Sequence, residues 1–283
     1  HPNPTIASIT ANASELLATS HGPELLIALG GGIAINSTKG IAAIASGGFS
    51  GEWFSDHLRN GTPFPDSFDP PAIIAIPTTA GTGSEVTMWG TVWDETSGAK
   101  YSISHPKLFA ERAVVVPELT LSVPLDLTLF TALDALSHCM ESMWNKRSSA
   151  VSRAFSVGGI TRIPGALDEV LANPTDIDAR RSLQESALLG GFAISCTATA
   201  LAHSISYPLT SKLGMPHGLA CSFTLPELMR FNAEADTEAV EEIATALCED
   251  SASDGASKLA EHFARWNVQG HVDTFLNADK ARA

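Results

Sequence analysis

Two short apolar segments, each ending in a turn of small residues, constrain the fold of this chain most strongly. LLIALG at 25–30 ends in Gly30-Gly31-Gly32 and leads into the helical pattern KGIAAIAS, and AIIAI at 72–76 ends in PTTAGTGSE. AVVV at 113–116 has the composition of a third strand. Short apolar strands that alternate with helices are typical of a parallel sheet covered on both faces. The first part of the chain is therefore predicted to be an α/β domain of the nucleotide-binding type.

The character of the sequence changes after Ser122-Val123-Pro124. From Leu125 onward, apolar residues recur at helical spacing and runs of β-branched residues are few. We therefore predict a dinucleotide-binding α/β domain (Rossmann-like) over residues 1–122 and an all-α domain over residues 123–283. A chain of 283 residues with 44% apolar content is long enough to bury a substantial core in each.

Charge and composition favour a small-molecule partner. The formal net charge of -14 and the pI of about 4.9 disfavour binding to nucleic acid or to an anionic membrane surface. No run approaches the roughly 18 apolar residues of a membrane span, and the start HPNPTIASIT lacks the layout of a signal peptide. The four cysteines show no CxxC spacing and are predicted to be reduced and mostly buried. A cytoplasmic protein is expected.

One carboxylate and three imidazoles form a candidate metal site. Asp134 and His138 are four residues apart, so they lie on one face of a helix. His203 and His217 frame the later stretch HSISYPLTSKLGMPHG. These ligand types suit a catalytic divalent metal, and the sequence does not separate Zn²⁺ from Fe²⁺. Taken singly, His138 also fits a histidine satisfied within the core, and the residues alone leave both interpretations open.

The two small-residue turns are candidate sites for a nucleotide. Backbone amides at Gly30-Gly31-Gly32 can approach a pyrophosphate at a helix N-terminus, although the cluster is not GxGxxG and also fits a simple tight turn. The hydroxyls and open amides of Pro77-Thr78-Thr79-Ala80-Gly81-Thr82-Gly83-Ser84-Glu85 can bind ribose, phosphate or carboxamide groups. A hydroxyl-rich capping turn is the alternative.

Several motifs together resemble those of the iron-containing, group III alcohol dehydrogenases. They are GGGIAINSTKGIA, PTTAGTGSEVT, DALSH and the H(x13)H spacing that ends in PHG, and the match runs from about Pro2 to Asn232. The resemblance implies NAD(P)H and a divalent metal, Fe²⁺ or Zn²⁺, as cofactors. The metal ligands that it implies are Asp134, His138, His203 and His217. The cofactor-binding residues that it implies are Gly30, Gly31, Gly32, Lys39, Thr78, Thr79, Thr82 and Lys100.

The reaction that the resemblance implies is reversible hydride transfer between NAD(P)H and an aldehyde, giving a primary alcohol. Asp134 and His138 would hold the metal that polarises the aldehyde oxygen. Many members of the family carry a further histidine four residues after the third ligand, and this chain has Tyr207 there. Tyr207 is a candidate catalytic proton donor, with a tyrosine that only packs as the alternative.

The stretch HSISYPLTSKLGMPHGLACSFTLP is most similar to the phosphonoacetaldehyde reductases, which make 2-hydroxyethylphosphonate in phosphonate biosynthesis. A short-chain alcohol, diol or lactaldehyde dehydrogenase is the nearest alternative, followed by a lyase-type relative similar to dehydroquinate synthase and by an inactive relative. Members of the family begin with a strand and a helix upstream of PNPT, and the C-terminal helices here are short. The chain is therefore expected to be part of a longer protein, which would form a homodimer or a higher homo-oligomer.

Overall fold

The computed structural model describes residues 4–19, 22–46 and 49–276. The chain divides into two compact units. The first contains the chain through Thr78 together with Ser84–Val116, and the second contains Thr79–Gly83 and everything from Pro117 onward. The predicted boundary after residue 122 lies a short distance beyond this division, and the sequence did not indicate that residues 79–83 group with the helical unit.

The first unit is built on a parallel sheet of three strands in the order β1-β2-β5. The register runs from the pair Leu25 and Ala72 to the pair Gly30 and Pro77. The strands are β1 Leu25–Gly30, β2 Ala72–Pro77, β3 Trp89–Trp93, β4 Lys100–Ser104 and β5 Arg112–Ala113; the helices are α1 Ile6–Thr19, α2 Gly32–Ala45 and α3 Gly51–Asn60. The first two predicted strands are confirmed. The third is shorter than AVVV and begins one residue earlier, and the antiparallel β3-β4 pair was not predicted.

The core of the first unit lies on one side of the sheet. Ile9 of α1, Ile35 of α2 and Ile73 of β2 belong to a single cluster of buried residues. The other side carries Leu25, Ile27 and Leu29 of β1, which are 45%, 63% and 59% exposed. The expectation of a sheet covered on both faces is therefore not met at β1, which the described residues cover on one face; the corresponding side of β2 is partly buried.

Helix α2 begins earlier than the helical pattern KGIAAIAS predicts. The pattern starts at Lys39, whereas α2 starts at Gly32 with Gly31 as its N-cap, so Asn36-Ser37-Thr38 lie inside the helix. Gly30 ends β1 with a φ of 149°, a value that a residue with a side chain rarely adopts. The three glycines therefore make the whole connection between strand and helix.

Helices make up the second unit, as predicted. Across its described residues they are α4 Leu125–Met143, α5 Ala150–Ala172, α6 Ile177–Thr197, α7 Leu201–Leu213, α8 His217–Ala220, α9 Leu225–Ala233, α10 Thr237–Ala246, α11 Ala252–Arg265 and α12 Val268–Asp273. Helices α4, α5 and α6 pack against one another. Their buried side chains include Leu136, Met140, Ile160 and Leu183. Helix α4, which carries the DALSH motif, is buried along most of its length.

Among the described helices, no single one has both the length and the apolar character needed to cross a membrane. The pair α6 and α7, bent by 107°, passes that test together by length and composition alone.

Candidate functional site

Helix α4 supplies three buried polar side chains on one face. Asp134, His138 and Glu141 are spaced by four and three residues, which places them one above another along the helix. Their exposed fractions are 3%, 4% and 0%. A buried ionisable group is costly unless it is paired or binds a metal. This face of α4 is therefore a place where a bound cation would be stabilised.

Helices α7 and α8 bring two more imidazoles to α4. His203 lies in the first turn of α7. Gly214, in the left-handed region, ends α7, and His217 is the first residue of α8. A Cβ on Gly218 would lie 1.8 Å from the carbonyl oxygen of Phe130, so α8 approaches α4 as closely as only glycine permits. This close approach places His217 Nε2 4.0 Å from Asp134 Oδ1.

The donor atoms converge on one carboxylate oxygen. The distances from Asp134 Oδ1 are 3.3 Å to Cys221 Sγ, 3.4 Å to His138 Nε2, 3.5 Å to His203 Nε2 and 4.0 Å to His217 Nε2. Ligand atoms of Asp134, His203, His217 and Cys221 all lie within 4.8 Å of one another. Tetrahedral bonds of about 2.0–2.3 Å place ligand atoms about 3.3–3.8 Å apart. Three of the four predicted ligands, Asp134, His203 and His217, thus lie with Cys221 at separations close to those of a metal site, and His138 contacts Asp134 but lies outside this group.

The electrostatics of the cluster also fit a cation. Burial alone would raise the pKa of Asp134, but the imidazoles of His138, His203 and His217 outweigh it and hold that pKa well below its ordinary value. Burial lowers the pKa of His138, which favours the neutral imidazole that a metal requires.

The surroundings of His203 favour a positive charge on its imidazole. Burial by itself lowers its pKa, but Cys221, Asp134 and Glu141 raise it well above the ordinary value. Its Nε2 is buried and has no hydrogen-bond partner among the described atoms. A divalent cation at this nitrogen would supply the charge that the two neighbouring carboxylates need.

Cys221 belongs to this cluster and was not predicted to have a role there. It is fully buried, and its thiol donates a hydrogen bond to Asp134 Oδ1. Burial raises the pKa of this thiol to about 12. The predicted burial holds for Cys139 and Cys221, whereas Cys196 and Cys248 are exposed. Cys221 follows His217 by four residues, the spacing of Asp134 and His138, and that spacing was the available signal.

The glycine turn has the strand–turn–helix form that was expected. The amide of Thr78 donates to the carbonyl of Gly30 over 3.0 Å, so the ends of β2 and β1 lie side by side. A Cβ on Gly30 would lie 2.7 Å from the Cβ of Ala34. Gly31 is the N-cap of α2 and Gly32 its first residue, and within the described residues no side chain caps this helix start. The geometry suits an anion at this helix N-terminus.

The PTTAGTGSE turn packs tightly through its glycines. A Cβ on Gly81 would lie 2.7 Å from the carbonyl oxygen of Thr131, and one on Gly83 would lie 2.4 Å from the Cα of Gly191. These glycines are buried, whereas the predicted contact residues of this turn remain partly exposed: Thr78, Thr79 and Thr82. The glycines thus allow the backbone of the turn to pack closely against its neighbours, whereas the three threonines are only partly buried.

Lys39 was predicted to bind the cofactor, but its side chain lies in the interior of the first unit. Its side chain is fully buried, and its ammonium group donates to the carbonyls of Ser84, Thr87 and Trp89 at 2.6, 2.6 and 2.9 Å. The structure therefore contradicts a direct contact with a cofactor, because backbone carbonyls already take the ammonium protons. Lys39 instead binds the segment from Ser84 to Trp89, which runs from the end of the PTTAGTGSE turn to the start of β3.

The other two predicted residues lie at the surface of their units. Lys100 is the first residue of β4, pairs with Trp93 and is partly exposed. Tyr207 lies on α7, one helical turn after His203, and is 39% exposed.

Comparisons with known proteins agree with this arrangement. Residues 1–117 match the model of the iron-containing alcohol dehydrogenases, and residues 128–273 match that of the C-terminal part of the Fe-containing alcohol dehydrogenase family. The phosphonoacetaldehyde reductase of Streptomyces viridochromogenes is 37% identical over 82% of this chain and 59% of its own length. The NAD-dependent methanol dehydrogenase of Bacillus methanolicus is 31% identical over 84% of this chain and 61% of its own. The chain thus spans about three-fifths of the length of these relatives.

A solved structure gives the same result for the fold. The sulfoacetaldehyde reductase from Bifidobacterium kashiwanohense, in complex with NAD⁺, superposes with a TM-score of 0.87 at 32% identity. The alignment covers 94% of this chain and 69% of that one. With both family models matched in chain order and the expected ligand residues drawn together on α4, α7 and α8, this chain belongs to the iron-containing alcohol dehydrogenase family.

Proposed function

We propose that this protein is a metal-dependent NAD(P)H oxidoreductase that interconverts an aldehyde and a primary alcohol. The convergence of three imidazoles on the buried carboxylate of Asp134, in a chain of this family, is the observation that carries the proposal. Asp134, His138, His203 and His217 would hold the divalent metal, Fe²⁺ or Zn²⁺. Once bound, the metal supplies Lewis acidity for the aldehyde oxygen, and the nicotinamide supplies the hydride.

The remaining roles fall to residues around the two turns and on α7. The amides at Gly31 and Gly32 would receive the pyrophosphate at the start of α2. The hydroxyls of Thr78, Thr79 and Thr82 would bind polar groups of the nucleotide. Tyr207 would deliver a proton to the aldehyde oxygen that becomes the alcohol, because its phenol lies one helical turn after His203 on α7.

For the substrate we propose phosphonoacetaldehyde, reduced to 2-hydroxyethylphosphonate. Two of the relatives act, by their names, on an acetaldehyde that carries a tetrahedral anion, a phosphonate in one and a sulfonate in the other. The guanidinium of Arg153 pairs with Glu242 at 2.9 Å and Glu238 at 3.4 Å, so we assign the phosphonate to another donor.

The test follows nicotinamide absorbance in the presence of Fe²⁺ or Zn²⁺, with phosphonoacetaldehyde and with propanal as the uncharged control. We expect aldehyde-dependent oxidation of NADH or NADPH, faster with phosphonoacetaldehyde, and its loss in Asp134→Ala. Equal rates on both aldehydes would remove the phosphonate proposal and leave the general one. No oxidation with either aldehyde and either metal would contradict the proposed activity.

A further inference from the structure

Glu141 is a buried carboxylate that the proposed mechanism does not use. It is 0% exposed and lies on the same face of α4 as Asp134 and His138. Within the described part of the chain, His203 is the ionisable group paired with it. A buried carboxylate is expensive unless several donors surround it, so the surroundings of Glu141 should show what keeps it there.

Those donors all come from the start of α7. Glu141 Oε1 accepts from the backbone amides of Ala202 and His203 at 2.6 and 3.3 Å, and Oε2 lies 2.5 Å from His203 Nδ1. The N-cap residue of α7, Ala200, has no side chain able to cap the helix. Glu141 therefore caps α7 from a neighbouring helix, where a negative charge is also favoured by the helix dipole.

The same contact fixes how His203 presents its ring. A carboxylate only accepts hydrogen bonds, so Nδ1 of His203 must carry the proton that it donates to Glu141. The opposite nitrogen, Nε2, then lies 3.5 Å from Asp134 Oδ1 and has no hydrogen-bond partner among the residues that the structure describes. One side chain thus sets both the position of the first turn of α7 and the ring orientation of His203.

We propose that Glu141 is a positioning residue for the metal, because it holds His203 with Nε2 directed into the donor cluster. The inference rests on the proposed function, in which His203 is a metal ligand. A carboxylate hydrogen-bonded to the far nitrogen of a ligating histidine fixes its tautomer and makes it a stronger ligand. Glu141 would have this effect and would also cap the helix that carries the ligand.

Glutamine cannot replace Glu141 in this arrangement. The two carboxylate oxygens of Glu141 face three N–H donors, two on the backbone and one on the imidazole of His203. A glutamine side chain offers one oxygen and one NH₂, so in either orientation the NH₂ would face a donor. Glu141→Gln therefore tests the acceptor role with little change of volume.

The experiment measures Zn²⁺ affinity by competition with a chelator, together with thermal unfolding of the metal-free protein. We expect Glu141→Gln to weaken Zn²⁺ binding about 10- to 100-fold. Glu141→Asp, which keeps the charge on a shorter side chain, should lie between Glu141→Gln and the unchanged protein. The matched control is Ser142→Ala, since Ser142 is equally buried on α4 but bonds to Ala193 and Thr197. It should lower thermal stability and leave Zn²⁺ affinity unchanged.

The outcomes separate this inference from the proposed function. If the unchanged protein binds Zn²⁺ and Glu141→Gln binds it equally well, the positioning role is wrong and the metal site stands. An equal loss of affinity in Ser142→Ala would also overturn the positioning role, because the effect would then follow general destabilisation of α4. If the unchanged protein binds no Zn²⁺, the metal site fails and the role of Glu141 fails with it.

Discussion

Cys221 is close enough to Asp134 to be either a hydrogen-bond donor or a ligand, and its contacts favour the donor. Its thiol donates to Asp134 Oδ1 and has its pKa raised to about 12. We expect Cys221→Ala to weaken Zn²⁺ binding by no more than about tenfold, because one hydrogen bond contributes about 0.5–1.5 kcal/mol and tenfold corresponds to about 1.4 kcal/mol. Cys221→Ser should bind more tightly than Cys221→Ala, because its hydroxyl can still donate. A larger loss in both variants, with thiolate-to-metal charge-transfer absorption in the Co²⁺-loaded protein, would make Cys221 a ligand.

Tyr207 is the residue where this chain departs from many members of its family. If its phenol delivers the proton, Tyr207→Phe should lower turnover about 10²- to 10⁴-fold. The side chain is 39% exposed, so the loss of its hydroxyl should leave Zn²⁺ affinity and thermal stability nearly unchanged. Steady-state rates with saturating aldehyde, measured beside a Zn²⁺ titration, check both statements. Unchanged turnover would show that Tyr207 only packs.

At the scale of single residues, spacing along the chain predicted which residues share a helix face, whereas the contacts between different helices were not predicted. Asp134 and His138 could be paired from the sequence because a helix turn determines their relation. The contacts of Glu141 with His203, and of Cys221 with Asp134, depend on how α7 and α8 pack on α4. Those contacts join residues about sixty to ninety positions apart, and no helical period encodes them. The burial of Lys39 was missed for the same reason.

Between elements, Lys39 joins α2 to the segment that leads into β3. Burial lowers the pKa of its ammonium from 10.5 to about 7, against an opposing effect of Glu85. Since the unfolded chain holds the proton up to a higher pH, the folded state should gain stability between about pH 7 and pH 10. The gain is at most about 1.4 kcal/mol per pH unit.

Lys39→Met removes both the charge and the three carbonyl contacts. We expect a loss of stability of at least about 1–3 kcal/mol near pH 7, because buried carbonyls lose their donor. The difference in unfolding free energy between the two proteins should grow as the pH rises to 10. Urea unfolding at several pH values measures this difference. A difference that is independent of pH would show that Lys39 keeps its ordinary pKa in the folded protein.

The contact of α8 with α4 depends on Gly218. An added methyl group would lie 1.8 Å from the carbonyl oxygen of Phe130, so Gly218→Ala must push α8 away and move His217 with it. We expect lower thermal stability and weaker Zn²⁺ binding. Gly165→Ala is the control, since nothing lies within 4 Å of its added Cβ and a helical glycine replaced by alanine gains about 0.5–1 kcal/mol. Zn²⁺ affinity as high in Gly218→Ala as in Gly165→Ala would contradict this account of how His217 is placed.

Elements were predicted well where one pattern dominates and poorly where polar and apolar residues mix. The apolar runs of β1 and β2 and the helical spacing after Leu125 gave their elements directly. The hairpin of β3 and β4 was not predicted. Its strands, WGTVW and KYSIS, are short and are joined by DETSGA, whose threonine, serine and glycine are typical of a loop. The start of α2 was placed too late because glycine, rather than a polar side chain, caps it.

At the scale of this chain, which spans about three-fifths of the length of its relatives, the exposed side of β1 has the clearest consequence. Parallel sheets ordinarily have both faces covered, yet Ile27 is 63% exposed and Leu29 59%. We expect this face to bind a hydrophobic dye such as ANS and to promote concentration-dependent association. Ile27→Thr should reduce both effects and change the unfolding free energy by no more than about 0.5 kcal/mol.

The matched variant is Ile73→Thr on the neighbouring strand. Ile73 is 1% exposed, so a hydroxyl placed there is buried and should cost about 1–3 kcal/mol. Dye fluorescence and sedimentation velocity, measured for both variants beside urea unfolding, distinguish the two faces of the sheet. Because the two substitutions are chemically identical, any difference between them reports the environment of each position. Dye binding that persists unchanged in Ile27→Thr would show that the exposed side chains of β1 are not the apolar surface to which the dye responds.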